Sequence, residues 1–176
     1  MYPDSVLRST FNLLDSHDTD RLVTRLGSTA RAKQALALLF SLPGSPCIYY
    51  GTEYALEGGH DPDCRRCMIW DPTVEEQAFA RFVQSLVSLR RQNWDLFADG
   101  KRTWHTSAEY PGLLGITVEA GPRKLQLFIN RDEKPLPAAV WKPLAGLKPA
   151  TPVQNLLTES PLEPQNTLPA YGVVMF

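Results

Sequence analysis

His17 and Asp18 stand side by side in "FNLLDSHDTDR" (residues 11–21), where an apolar run gives way to Asp15, Ser16, His17 and Asp18. An ionised Asp placed there can stabilise positive charge developing on a substrate, and a neighbouring His can donate to a substrate hydroxyl. The same dipeptide also suits a strand-end turn in which Asp18 caps backbone amides. Further along, "YYGTE" carries Glu53 and "HDPDCRRCMIWD" carries Asp61, Arg65 and a C-x-x-C of Cys64 and Cys67. With Cys47 the cysteines number three, an odd count that does not suggest a disulfide framework. A C-x-x-C can form half a zinc site or a redox pair. A four-ligand site needs two more spaced ligands, and His17, His60 and His105 are scattered without an H-x₃₋₅-H pattern, so ordinary buried or loop thiols are expected.

The elements that must position these residues fall into two kinds. "FNLL" (11–14) is a short apolar run with little alternation, the pattern of a strand buried on both faces of a parallel sheet. After Gly27-Ser28-Thr29, "ARAKQALALLFSL" is apolar nearly all round and reads as a buried helix that stops at Pro43-Gly44. "SPCIYYG" reads as a second buried strand. A polar loop from Thr52 to about Pro72 follows, with Gly58-Gly59 and five acidic residues. Thr73-Val74-Glu75-Glu76 then supplies a capping box, and Phe79, Phe82, Val83, Leu86 and Val87 repeat with helical spacing. Strand, helix, strand, loop and helix make two consecutive β/α units, whose strand ends are where functional residues collect.

From about Leu96 the pattern changes to short stretches: "KRTWHTS", "LLGITVEA", "KLQLFINR", "AAVW" and "YGVVMF". Eight of the fifteen prolines lie after residue 134, and proline-punctuated short strands predict an antiparallel sandwich or barrel. The expected division is 1–95 and 96–176. At 176 residues, 43% hydrophobic and with a formal net charge of -1, the chain has no electrostatic preference for nucleic acid or anionic membrane. It has no run of about 20 apolar residues, and "MYPDSVLRST" lacks the layout of a signal peptide. A cytoplasmic location is expected.

"FNLLDSHDTDR", "GSPCIYYGTE" and "GGHDPDCRRCMIWD", in that order, resemble the C-terminal part of the α-amylase superfamily, glycoside hydrolase family 13. The resemblance is strongest to its neopullulanase, cyclomaltodextrinase and maltogenic amylase branch, and the closing "LPAYGVVMF" resembles the last strand of that family's C-terminal sandwich. It implies the last two units of a (β/α)₈ barrel followed by an antiparallel β-sandwich. It also implies that His17 donates to the sugar at the cleavage subsite and that Asp18 is the third catalytic carboxylate, a stabiliser of the transition state. Contacts to ring hydroxyls that strengthen in an oxocarbenium-like transition state lower its barrier. Asp61 and Arg65 become contacts to sugars further from the cleavage point, or a pair that pins the loop. Glu53 orients cleft residues or holds the barrel rim, and Trp70 and Tyr50 either stack on sugars or pack in the core. The implied substrates are cyclodextrin, pullulan or maltooligosaccharides. No cofactor or metal is implied in this chain, and calcium dependence of a full-length relative stays open.

A retaining glycosidase needs a nucleophilic and an acid/base carboxylate about 5 Å apart. The family carries them on the fourth and fifth barrel strands, and no D-G-x-R-x-D-like segment occurs here. The 176 residues alone are therefore expected to be inactive. Met1 resembles an internal methionine, as in a truncated product, a misplaced start or an excised segment. Two β/α units cannot close a barrel, so exposed strand edges and self-association through them are expected. The alternative is a non-catalytic carbohydrate-binding or oligomerisation module.

Overall fold

A computed structural model of the chain describes residues 3–158, 161–162 and 167–176. Met1 and Tyr2, and with them the reading of Met1 as an internal methionine, lie outside the described residues. The chain divides into two compact units, Met1–Ser88 and Leu89–Phe176.

In the first unit, helix α1 (Asp4–Arg8) leads into strand β1 (Phe11–Leu13), followed by helices α2 (Leu22–Leu26) and α3 (Thr29–Ser41) and strand β2 (Ser45–Cys47). β1 and β2 pair in parallel, Phe11 against Ser45 and Leu13 against Cys47, so the segment is a β-α-β crossover. Gly44 makes the turn into β2 at φ +82°, where a Cβ would meet the Thr10 carbonyl at 2.5 Å. Ser28 caps α3, its hydroxyl accepting from Ala30 N and Arg31 N. α3 buries Ala32, Leu36, Ala37, Leu39 and Phe40, as expected of a helix apolar nearly all round. Helix α4 (Val74–Gln92) begins on the predicted capping box: Thr73 N donates to Glu76 Oε2 at 2.7 Å and Glu76 N to Thr73 Oγ1 at 3.2 Å. It buries Phe79, Phe82, Val83 and Leu86, with the Lys33 ammonium of α3 above the Phe79 and Phe82 rings.

Burial of β1 differs from expectation. Phe11 is 67% and Leu13 46% exposed, because β1 has a single partner strand among the described residues and the face that carries these two is uncovered, while Asn12 and Leu14 are half-buried. The stretch after β2 is also more ordered than a plain loop, with single 3₁₀ turns at Thr52–Tyr54 and Asp63–Arg65.

In the second unit, helix α5 (Trp94–Asp99) precedes strands β3 (Lys101–Thr106), β4 (Leu113–Ala120) and β5 (Arg123–Asn130). Helix α6 (Ala138–Trp141), strands β6 (Val153–Gln154) and β7 (Pro161–Leu162), and strand β8 (Val173–Met175) complete it. β3, β4, β5 and β8 form an antiparallel sheet in that order, and β6 and β7 pair separately. Leu113, Phe128, Leu136, Trp141, Val153, Leu168 and Val174 form the core of this unit. "AAVW", expected as a strand, is helix α6: Pro137 at its N-cap sets the extended entry, and one helical turn delivers fully buried Trp141 to the Phe128 and Phe176 rings. No helix among the described residues is long and apolar enough to cross a membrane.

Candidate functional site

The turn after β1 is built by short side-chain-to-backbone bonds, which Ser and Thr make readily where no ladder competes. Ser16 N donates to Thr19 Oγ1 at 3.0 Å and Asp18 N to Ser16 Oγ at 3.2 Å. The backbone amide of Asp18 is thereby satisfied from within the turn, and its carboxylate is free to point outward. His17 and Asp18 are 61% and 68% exposed, with His17 Nε2 3.1 Å from Asp18 Oδ2.

The loop after β2 closes on this turn. Arg65 Nε donates to the His17 carbonyl at 3.0 Å and lies 3.1 Å from Asp61 Oδ1, while its Nη2 lies 3.6 Å from Asp18 Oδ1. Cys64, fully buried, donates its thiol to the same His17 carbonyl at 3.1 Å. The structure therefore brings His17, Asp18, Asp61 and Arg65 together, two carboxylates about one guanidinium with an imidazole beside them. Such a group offers acceptors and donors to hydroxyls at the surface of a turn held by rigid elements.

The other predicted residues are placed differently. Glu53 joins none of these contacts; its Oε2 is buried without a hydrogen-bond partner among the described residues. Tyr50 donates its hydroxyl to the Arg66 carbonyl at 2.8 Å, which fixes its ring within the loop. Trp70 is 87% exposed, so it is not a core residue. Of the C-x-x-C, Cys64 is buried and Cys67 exposed, and among the described residues no group of three His, Cys, Asp or Glu side chains could hold a metal ion.

A further carboxylate–guanidinium pair pins the loop. Arg66 Nε and Nη2 donate to the two Asp63 oxygens at 2.7 and 2.9 Å, and Gly59 N adds a third bond at 2.7 Å. The Arg66 hydrogen bonds, with the Gly59 amide behind them, hold the Asp63 carboxyl below the usual carboxylate range.

Two buried side chains that tie this region together have no signal in the sequence pattern. Asp15 Oδ2 accepts from Leu22 N at 3.0 Å and from Thr52 Oγ1 at 2.8 Å, so it caps α2 and joins the end of β1 to the loop after β2. Arg21, 0% exposed, donates from Nε to the Cys64 carbonyl at 2.6 Å and from Nη1 to the Tyr50 carbonyl at 2.5 Å. Its guanidinium lies 4.3 Å from the Tyr49 ring centroid and 4.5 Å from that of Tyr50. Burial, foremost, pushes the Tyr49 phenol up, so it stays neutral at physiological pH. A single Arg or Asp next to apolar residues carries no sign of which distant carbonyl or amide it will meet.

Comparison with known proteins gives the site a context. Residues 2–105 match the family model for the α-amylase catalytic domain. The chain is 47% identical over 122 residues to an intracellular maltogenic amylase of Bacillus subtilis, covering 69% of this chain and 21% of that protein. It is 35% identical over 186 residues to a cyclomaltodextrinase of Geobacillus thermopakistaniensis, covering 99% of this chain and 30% of that one. Among solved structures, an Anoxybacillus α-amylase superposes with a TM-score of 0.74 at 26% identity, over 96% of this chain and 37% of that one. The chain thus spans less than a third of the length of these two curated relatives. The family match covers well over half of the 176 residues and contains the whole His17, Asp18, Asp61 and Arg65 cluster: the chain belongs to the α-amylase family.

Proposed function

We propose that this chain is the C-terminal part of a retaining α-glucan hydrolase and that the turn after β1 is its sugar-facing wall. Asp18 is the carboxylate that binds ring hydroxyls and steadies the positive charge of the transition state, and His17 donates to the same sugar. Asp61 and Arg65 contact sugars further from the cleavage point, and Glu53 holds the rim. The observation that carries this reading is the convergence on Arg65: one guanidinium reaches the His17 carbonyl, Asp18 and Asp61 while all four side chains keep solvent access. A pair that served only to pin the loop would not need to include Asp18, and Asp63–Arg66 already does that work.

On this reading, β1 and β2 with their helices are the last two units of a (β/α)₈ barrel (1–95), and the antiparallel sheet belongs to a C-terminal sandwich (96–176). The nucleophile and acid/base segments of the family mechanism are not in these 176 residues, so the chain alone cleaves nothing. The substrate class is α-1,4-linked glucan: cyclodextrin, pullulan or maltooligosaccharide. Relatives named maltogenic amylase and cyclomaltodextrinase support that class, and the relative named intracellular supports a cytoplasmic setting. Exposed Phe11 and Leu13 on β1 favour self-association of the isolated chain. A carbohydrate-binding or oligomerisation role without catalysis has one observation in its favour, Trp104, half exposed on the edge strand β3.

Asp18→Asn in a full-length enzyme containing this segment tests the assignment. Loss of several kcal/mol of transition-state stabilisation, about a thousandfold or more in kcat, is expected. A near-normal kcat in that variant would show that Asp18 does not have this role.

A further inference from the structure

We infer that Arg21 is the positioning residue for His17. The inference rests on the reading of His17 as a sugar-facing group, and it assigns the geometry of that group to a buried cation that touches no substrate.

Two separate routes lead from the Arg21 guanidinium to His17. The first runs through backbone: Nε donates to the Cys64 carbonyl at 2.6 Å, and both the Cys64 thiol and Nε of the next residue, Arg65, donate to the His17 carbonyl, at 3.1 and 3.0 Å. The second runs through rings: the guanidinium carbon lies 4.3 Å from the Tyr49 centroid, and the Tyr49 ring lies 6.4 Å from the His17 ring at 52°. One route holds the main chain of His17 and the other faces its imidazole. Arg21 N also donates to Gly58 O at 2.8 Å and Nη1 to Tyr50 O at 2.5 Å, so one residue fastens the start of the loop that carries Cys64 and Arg65 and a point within it.

Arg21 is 0% exposed, no carboxylate among the described residues pairs with it, and its Nη2 is buried without a hydrogen-bond partner among them. Burying a guanidinium without a counter-ion is costly, and apolar packing of similar volume stabilises at least as well. What apolar packing cannot provide is a planar fork whose separate nitrogens donate to the Cys64 and Tyr50 carbonyls while its carbon lies within 4.5 Å of both tyrosine ring centroids. Lysine cannot provide it either, since its ammonium is a point charge with no flat face. The arrangement suits the holding of a defined geometry better than it suits stability.

The test uses the 176-residue chain with ¹³C-labelled histidine, whose ring resonances report His17, His60 and His105 separately. Arg21→Lys is expected to shift the His17 ring resonance while His105 stays put. It is also expected to raise the reaction of Cys64 with a disulfide reagent about tenfold or more, with exposed Cys67 unchanged. An unmoved His17 resonance together with protected Cys64 overturns the inference. Leu36→Ala, a core truncation in α3, is the stability control: if it shifts His17 as far as Arg21→Lys does, the effect is general loosening and the inference fails. Should Arg21→Lys not fold, Tyr49→Leu interrupts the ring route and the double variant Cys64→Ala with Arg65→Gln interrupts the backbone route. Movement of His17 in both supports the inference, and its absence in either overturns it. No sugar enters this experiment, so failure here leaves the glucan reading standing, and failure of sugar to act at an undisturbed His17 leaves the positioning role standing.

Discussion

The thiol of Cys64 donates to the backbone carbonyl of His17 across 3.1 Å, fastening the loop that follows the second strand to the turn that follows the first. Forty-seven residues separate the two. Because Arg65 donates to the same oxygen, the carbonyl is doubly satisfied and the His17–Asp18 turn is held from beneath while its side chains face solvent. A site made of exposed residues acquires a defined shape in this way, through anchors on its main chain, one of them from the buried Cys64.

Arg65 is exposed by about half, so its ion pairs with Asp61 and Asp18 contribute little to global stability. Arg65→Gln should change unfolding free energy by no more than about 1 kcal/mol. Amide exchange at Asp18 and Thr19 should nonetheless quicken, because one of the two anchors on the His17 carbonyl is gone. Exchange mass spectrometry beside a urea titration reads both; a large stability loss with unchanged exchange would contradict the local role.

Asp15 presents the opposite case, a carboxylate 3% exposed whose partners are also buried. Asp15→Ala leaves the Leu22 amide and the Thr52 hydroxyl without their acceptor, at a cost of about 1–3 kcal/mol. Asp15→Asn keeps an acceptor oxygen and should lose less. Urea midpoints for the two variants order the costs, and equal midpoints would show that the oxygen is not what matters.

His105 gives a pH signature to the second unit. Its Nε2 lies 2.8 Å from Thr117 Oγ1, which also accepts from Gln126 Nε2 at 3.0 Å, so the Thr117 hydroxyl is free to donate to a neutral imidazole. Burial pushes the His105 pKa below its ordinary 6.5, so the folded state binds this proton less readily than the unfolded state. The contribution of His105 is complete above pH 6.5 and is lost as pH falls from 6.5 through the folded value. Urea melts at about pH 7.5 and pH 5.5 should show a larger drop for the wild type than for His105→Gln. An equal drop in both would place the acid sensitivity elsewhere.

Much of this architecture is legible in the residues themselves. Thr73 and Glu76 announce the start of α4 because a capping box needs only local partners, and the spacing of Phe79, Phe82, Val83 and Leu86 announces its buried face. "AAVW" misleads because four apolar residues carry no period, and its helical turn is decided by Trp141 reaching Phe128 and Phe176 from distant strands. The burial of "FNLL" misleads because the pattern of a two-sided strand reports what the strand is suited to, not which neighbours it has. His17, Asp18, Asp61 and Arg65 stand out through resemblance and come together in space, whereas Asp15 and Arg21 do not stand out. Three of their hydrogen bonds go to the Leu22 amide and the Cys64 and Tyr50 carbonyls, and a backbone carbonyl or amide looks the same at every position of a sequence.

Every role proposed for His17, Asp18, Asp61 and Arg65 requires the turn after β1 to be a sugar-facing surface. Titration of maltotriose or β-cyclodextrin into the isotope-labelled chain tests that directly, with amide and ring resonances read residue by residue. The predicted result is a saturable shift at His17, Asp18, Asp61 and Arg65, reduced in Asp18→Asn, with His105 unmoved and no sugar consumed. Shifts confined to the second unit, around Trp104, with none at His17 and Asp18, would contradict it.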